Sequence, residues 1–219
     1  MFIKADLKHF DFTNLGKFDV ILVDPPWEEY ARRATIYPYK NEEIEPWTLD
    51  EIAALNLDVI AENHSFIFLW VGSENLENGR ELFRKWGYKR CEDITWVKTN
   101  KDNMIIPQSN LNEEKQRTYL RRVKEHCLVG LKGDVKRASD AHFIHANIDT
   151  DVIVEEEKLG SRQKPSEIYA LIERFCLGRK RLELFANTSS IRPGWLSIGK
   201  DLHDTNFDQT LFDNWFNGE

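Results

Sequence analysis

Asp24-Pro25-Pro26-Trp27 stands at the end of an apolar run, Phe18-Asp-Val-Ile-Leu-Val23. The run reads as a buried strand, and in an α/β sheet ligands bind beyond the carboxyl ends of the strands. Two successive prolines fix the backbone and donate no hydrogen bond, while their carbonyls still accept. Asp24 adds a carboxylate and Trp27 an aromatic face. Together they make an acceptor-only pocket with a stacking wall, suited to a planar group that carries an exocyclic amine. The amine protons would go to Asp24 and the Pro25 carbonyl, and the ring would lie on Trp27. Such contacts would draw the amino nitrogen toward tetrahedral geometry and make it a nucleophile for a methyl sulfonium. Positioning and fixed charge would supply most of the acceleration. An enzyme working on a base in this way must take it out of its stack. A rigid turn after a strand is the competing reading of the same four residues.

The elements that must position this tetrapeptide alternate between strands and helices. Strands are expected over 18–23, 65–71, 93–98, 126–131, 151–154, 181–185 and 194–198. Thr48 with Glu51 three residues on forms a capping box, and Ile52, Leu55 and Val59 mark one helical face to about residue 61. Further helices are expected over 76–86, stopped by Gly87, and over 165–176, opened by Pro165 and stopped by Gly178. This alternation predicts an α/β fold with a largely parallel sheet and flanking helices. Long loops are left over 28–47, 99–122, 132–149 and 155–164, and loops of that length are commonly functional.

With 219 residues, 41% of them hydrophobic, the chain can fill the core of a single domain, 1–219. The proximity of the first strand to the N-terminus fits a trimmed domain. Net charge is −7, from 30 Lys and Arg against 37 Asp and Glu, which argues against binding nucleic acid by bulk charge. The distribution is uneven. Residues 1–63 hold 13 acidic and 6 basic groups, whereas 80–101 hold 7 basic and 3 acidic and 115–137 hold 8 basic and 2 acidic. The basic stretches form either solvated faces or an edge for a polyanion. Cys91, Cys127 and Cys176 are too scattered for a zinc site and fit a reducing compartment. His142 and His145 bring no further ligands, so no metal is expected. The longest apolar run, 66–71, is far too short for a membrane span. Tyr37, Tyr39 and Trp47 read as local packing or as a gate over a base, and Trp86, Tyr88 and Trp96 as core or interface.

The tetrapeptide and its setting resemble the eukaryotic N6-adenine methyltransferases, the family that includes both core subunits of the messenger-RNA adenosine methyltransferase. The likeness covers nearly the whole chain. It is carried also by Ser65-Phe-Ile-Phe-Leu-Trp70, Trp86-Gly-Tyr88, Trp96-Val-Lys-Thr-Asn100, Lys124-Glu-His-Cys-Leu128, Lys164-Pro165 and Leu182-Glu-Leu-Phe185. Phe143-Ile-His-Ala-Asn147, Phe175-Cys-Leu-Gly-Arg179 and Ile191-Arg-Pro-Gly-Trp195 look more like the non-catalytic subunit, which lacks an intact Asp-Pro-Pro-Trp. A chain with those blocks and the intact motif is similar to the catalytic subunit of the ciliate DNA N6-adenine methyltransferase complex.

The resemblance implies a Rossmann-like methyltransferase fold of permuted motif order, S-adenosylmethionine as cofactor and a nuclear location. It implies catalytic roles for Asp24, Pro25, Pro26 and Trp27. It implies cofactor contacts from Asp6, Leu7, Asp24, Lys164, Glu183, Asn187, Ser189, Ser190, Lys200 and Asp201. Asn187 and Ser189 stand where the messenger-RNA catalytic subunit carries arginine and histidine, and Lys200 stands for an asparagine. The implied partners are an inactive paralogue, met in part through the 99–122 loop, and small DNA-binding proteins. The expected activity is methyl transfer to the adenine N6 amine in DNA. RNA is the alternative substrate, and a non-catalytic scaffold within a methyltransferase heterodimer is the alternative role.

Overall fold

The computed structural model describes residues 1–34, 44–99, 123–134, 149–158, 161–176 and 180–217. Eight strands form one sheet: β1 (Phe2–Lys4), β2 (Phe18–Val23), β3 (Ala61–Val71), β4 (Lys89–Thr99), β5 (Lys124–Lys132), β6 (Val152–Glu156), β7 (Arg181–Leu184) and β8 (Leu196–Gly199). Their spatial order is β1-β8-β7-β2-β3-β5-β4-β6. β5 runs antiparallel to both its neighbours, and every other pair is parallel. The helices are α1 (Glu28–Ala34), α2 (Leu49–Ala53), α3 (Leu57–Ile60), α4 (Leu76–Lys85), α5 (Glu167–Phe175) and α6 (Gln209–Asn217).

Both faces of the sheet are covered, so its central strands are apolar throughout rather than alternating. Ile21 and Val23 of β2 join Leu69 and Leu128 in one core, closed by Ile52, Leu57, Leu82, Phe83 and Phe212 from α2, α3, α4 and α6. Val20 and Leu22 face the opposite core with Trp70, Trp96 and Cys127, beneath Ile168, Tyr169 and Ile172 of α5. Trp86, Tyr88 and Trp96 are all buried, in keeping with the core reading.

The mixed α/β architecture matches the expectation, with differences in detail. The helix expected from Thr48 to about residue 61 is two short helices, because the backbone turns at Ala54 and Leu55 before α3 begins. β1, α1 and α6 are additional; α1 occupies the start of what reads as a loop. The capping box is present: the Glu51 amide donates to the Thr48 hydroxyl, and the Thr48 amide donates to the Glu51 carboxylate at 2.8 Å. Thr48→Ala should cost about 1 kcal/mol in urea unfolding, with loss of one orphan amide's partner as the cause. Gly199 is required where β8 passes the β7 turn, since a Cβ there would meet the Ala186 carbonyl oxygen at 2.1 Å. Tyr37, Tyr39, His142, His145, the Phe143–Asn147 block, Gly178 and nearly all of the 99–122 loop lie outside the described residues.

Candidate functional site

The period of two that sends Val20 and Leu22 to the α5 side of the sheet carries Asp24 there as well. β4 places Trp96 and Lys98 on that side, and β5 places Glu125 and Cys127 there. Because β5 is antiparallel, its beginning lies at the carboxyl ends of its neighbours, and Trp96 pairs with Glu125. Lys164 enters from the segment ahead of α5. Its Nζ donates to Glu125 Oε2 at 2.7 Å and to Tyr30 Oη at 3.1 Å, and lies 3.3 Å from Asp24 Oδ1. Lys98 donates to Glu125 Oε1 at 2.6 Å and also pairs with Glu157. The result is a chain of alternating charge, Asp24–Lys164–Glu125–Lys98–Glu157.

Burial and neighbours set the protonation of this chain. Burial raises the Asp24 carboxyl above the usual carboxylate range, and Glu125 adds to the rise against the pull of Lys164. Burial works to lower Lys164, but the Asp24 and Glu125 carboxylates outweigh it and hold the ammonium well above its ordinary value. Burial, with Glu125 beside it, also pushes the Tyr30 phenol well up.

Asp24, Pro25 and Pro26 line one hollow with Tyr30, Lys164 and Asn187, while Trp27 is not part of its wall. The Pro25 carbonyl accepts the Trp27 amide at 2.9 Å, and the Pro26 carbonyl accepts the Trp47 amide at 3.0 Å. Trp27 is 3% exposed, and its indole donates to the Trp70 carbonyl at 2.8 Å, so its ring belongs to the core. Asp24 faces an ammonium of the chain itself. Trp47, read as packing or gate, packs: its ring meets Phe185 edge-on at 4.9 Å. The expectation of a free stacking face on Trp27 is corrected, because a tryptophan held at both backbone and indole cannot turn toward a ligand.

The expected cofactor residues do gather along one cleft beyond the strand ends. Asp6, Leu7, Lys200 and Asp201 line one hollow, and Asp24, Lys164, Glu183, Asn187, Ser189 and Ser190 line another. Phe185 borders both, with a left-handed backbone (φ 62°) that is strained for a bulky side chain. In this structure their charged groups pair with one another. Arg162 pairs with Asp201, Lys200 donates to Glu45 at 2.7 Å, and Lys8 bonds Glu51 beside them. Asn187 accepts from both the amide and the hydroxyl of Ser189, and Ser190 Oγ donates to the Asn187 carbonyl. Glu183 is buried between the Tyr169 hydroxyl at 2.9 Å and the Ser197 hydroxyl at 3.3 Å. Burial raises its carboxyl to about 7, against the lowering effect of those hydrogen bonds.

Tyr30, Lys98, Glu125 and Arg162 were not among the residues expected here. Lys98 and Glu125 lie inside the motif blocks, but each alone reads as an ordinary strand charge. The signal that joins them is their register on the adjacent strands β4 and β5.

Residues 18–201 match the MT-A70 family. The chain is 48% identical, over 99% of its length, to the N(6)-adenosine-methyltransferase non-catalytic subunit METTL14 of Drosophila melanogaster, covering 54% of that protein. It is 48% identical to METTL14 of Danio rerio, again over 99% of the chain and 46% of the relative. The N6-adenosine-methyltransferase non-catalytic subunit MTB of Arabidopsis thaliana is 52% identical over 72% of the chain, which spans 20% of that protein. The chain thus spans about half the length of the METTL14 relatives it matches. These relatives overturn the expected DNA N6-adenine methyltransferase activity and the assignment to a ciliate catalytic subunit. The intact Asp24–Trp27 motif carried that expectation, and residue types alone do not reveal that the Trp27 ring lies in the core.

Proposed function

We propose that this chain, which belongs to the MT-A70 family, is a non-catalytic subunit that supports a catalytic paralogue in an N6-adenosine methyltransferase heterodimer. The observation that carries the proposal is the similarity, over 99% of this chain, to two METTL14 subunits at 48% identity. The site geometry agrees with it: motif acceptors bond backbone amides, the motif ring is core, and Asp24 faces Lys164. In this reading the cleft needs no S-adenosylmethionine, and the partner supplies cofactor and chemistry. Arg84, Lys85, Lys89 and Arg90 are exposed around the α4–β4 turn and offer a surface for a polyanionic substrate of the heterodimer.

The test is reconstitution with a catalytic paralogue. Asp24→Asn in this chain should leave methyl transfer by the assembled heterodimer unchanged, whereas the chain alone should transfer no methyl group and give no heat on titration with S-adenosylmethionine. Loss of transfer in an Asp24→Asn heterodimer that still assembles would return the chemistry to this chain.

A further inference from the structure

The residues around Lys164 Nζ form a receptor for a primary ammonium. Three oxygens surround the nitrogen: Glu125 Oε2 at 2.7 Å, Tyr30 Oη at 3.1 Å and Asp24 Oδ1 at 3.3 Å. An alkylammonium has three N–H donors; Glu125 and Tyr30 take two of them, and Asp24 Oδ1, a buried acceptor without a hydrogen bond of its own, is held to the ammonium by charge. Two aromatic faces complete the enclosure, with the nitrogen 4.4 Å from the Tyr30 ring centre and 5.3 Å from that of Trp70. Rings at these distances attract a cation through their quadrupoles. Two carboxylates against one ammonium leave the immediate shell with net negative charge, which Lys98 offsets from the far side of Glu125. The acceptor-rich, aromatic-walled pocket for an amine that the motif suggests is therefore present, displaced from the motif carbonyls and filled from within.

We propose that Lys164 is the built-in occupant of an ammonium-binding site, and that removing its side chain converts the chain into a receptor for small primary ammonium ions. The inference rests on the geometry and holds independently of the chain's role in a heterodimer. Selectivity follows from the shell. A quaternary ammonium satisfies the rings but brings no N–H to the three oxygens. A guanidinium is planar and directs its donors in one plane. An n-alkylammonium of three carbons replaces the atoms that Lys164→Ala deletes.

The experiment is thermal unfolding of the full chain and its Lys164→Ala variant in n-propylammonium chloride, with sodium chloride at matched ionic strength as the control. The variant should melt roughly 10 °C below the parent, since buried Asp24 loses its cation and Glu125 keeps only Lys98. About 100 mM propylammonium should recover several degrees in the variant and none in the parent, by linkage to binding in the folded state. Tetramethylammonium and guanidinium should not reproduce the gain. A Glu125→Gln/Lys164→Ala double variant, with the charge imbalance removed, should fold and lose the propylammonium response. Equal shifts in parent and variant, or rescue by tetramethylammonium, would overturn the proposal. If Lys164→Ala does not fold in buffer, refolding it with propylammonium decides the matter: recovery supports the proposal and continued failure overturns it.

Discussion

Lys98→Met should lower folding stability by about 3 kcal/mol, measured by urea unfolding near pH 7. The side chains of Lys98 and Glu125 are each 5% exposed and meet at 2.6 Å. Removing one member of a buried ion pair leaves an uncompensated charge in a medium that solvates it poorly, and losses of 3–5 kcal/mol are usual. The lower end applies because Glu125 keeps its bond to Lys164 and Glu157 is partly solvated. Methionine retains most of the stem that lies under the Trp96 ring, 4.7 Å from the ammonium, so the loss reports charge rather than volume. A Lys98→Met/Glu125→Gln double variant should regain roughly half of the deficit, because it removes the stranded carboxylate. A loss below about 1 kcal/mol in the single variant would mean that Lys98 is solvated and that the charge chain does not hold the strand ends together.

The same chain of charges shows where the amino-acid sequence stops being readable. Apolar runs announce β2 and the buried end of β3, and Thr48 with Glu51 announces the start of α2, because these signals are local. Strand direction is not local: the run 126–131 reads as a buried strand, but nothing in it says that β5 runs against its neighbours. That reversal is what brings Glu125 to the end of the sheet where Asp24 and Lys98 lie. The short β1 and the helix α6 are held by distant partners, with β1 paired to β8 and Phe216 set edge-on against Phe18, so their own residues carry weak signals. The motif was legible as composition and illegible as orientation. Asp24, Pro25, Pro26 and Trp27 are the residue types of an amine pocket. Whether their carbonyls and ring face a ligand depends on Trp47 and Trp70, 20 and 43 positions downstream of Trp27.

Glu183 should make the protein more stable in mild acid than at neutral pH. Its carboxyl is raised from the ordinary 4.5 to about 7 by burial beneath α5. Below pH 4.5 the group is protonated whether the chain is folded or not, so it contributes no pH dependence there. Between 4.5 and 7 the folded protein keeps a proton that the unfolded chain releases, and stability must fall as the pH rises through that window. A shift of that size corresponds to about 3 kcal/mol lost by pH 8 relative to pH 4.5. Asp24, also raised by burial, adds a change of the same sign. Glu183→Gln keeps an oxygen to accept from the Tyr169 hydroxyl and removes the titration. Urea midpoints at pH 5, 6, 7 and 8 should therefore fall steeply for the parent and far less for the variant, with the variant the more stable of the two at pH 8. Parallel slopes in the two proteins would mean that Glu183 is ionised in the fold at pH 5, with Tyr169 and Ser197 supplying enough hydrogen bonding to hold a buried carboxylate.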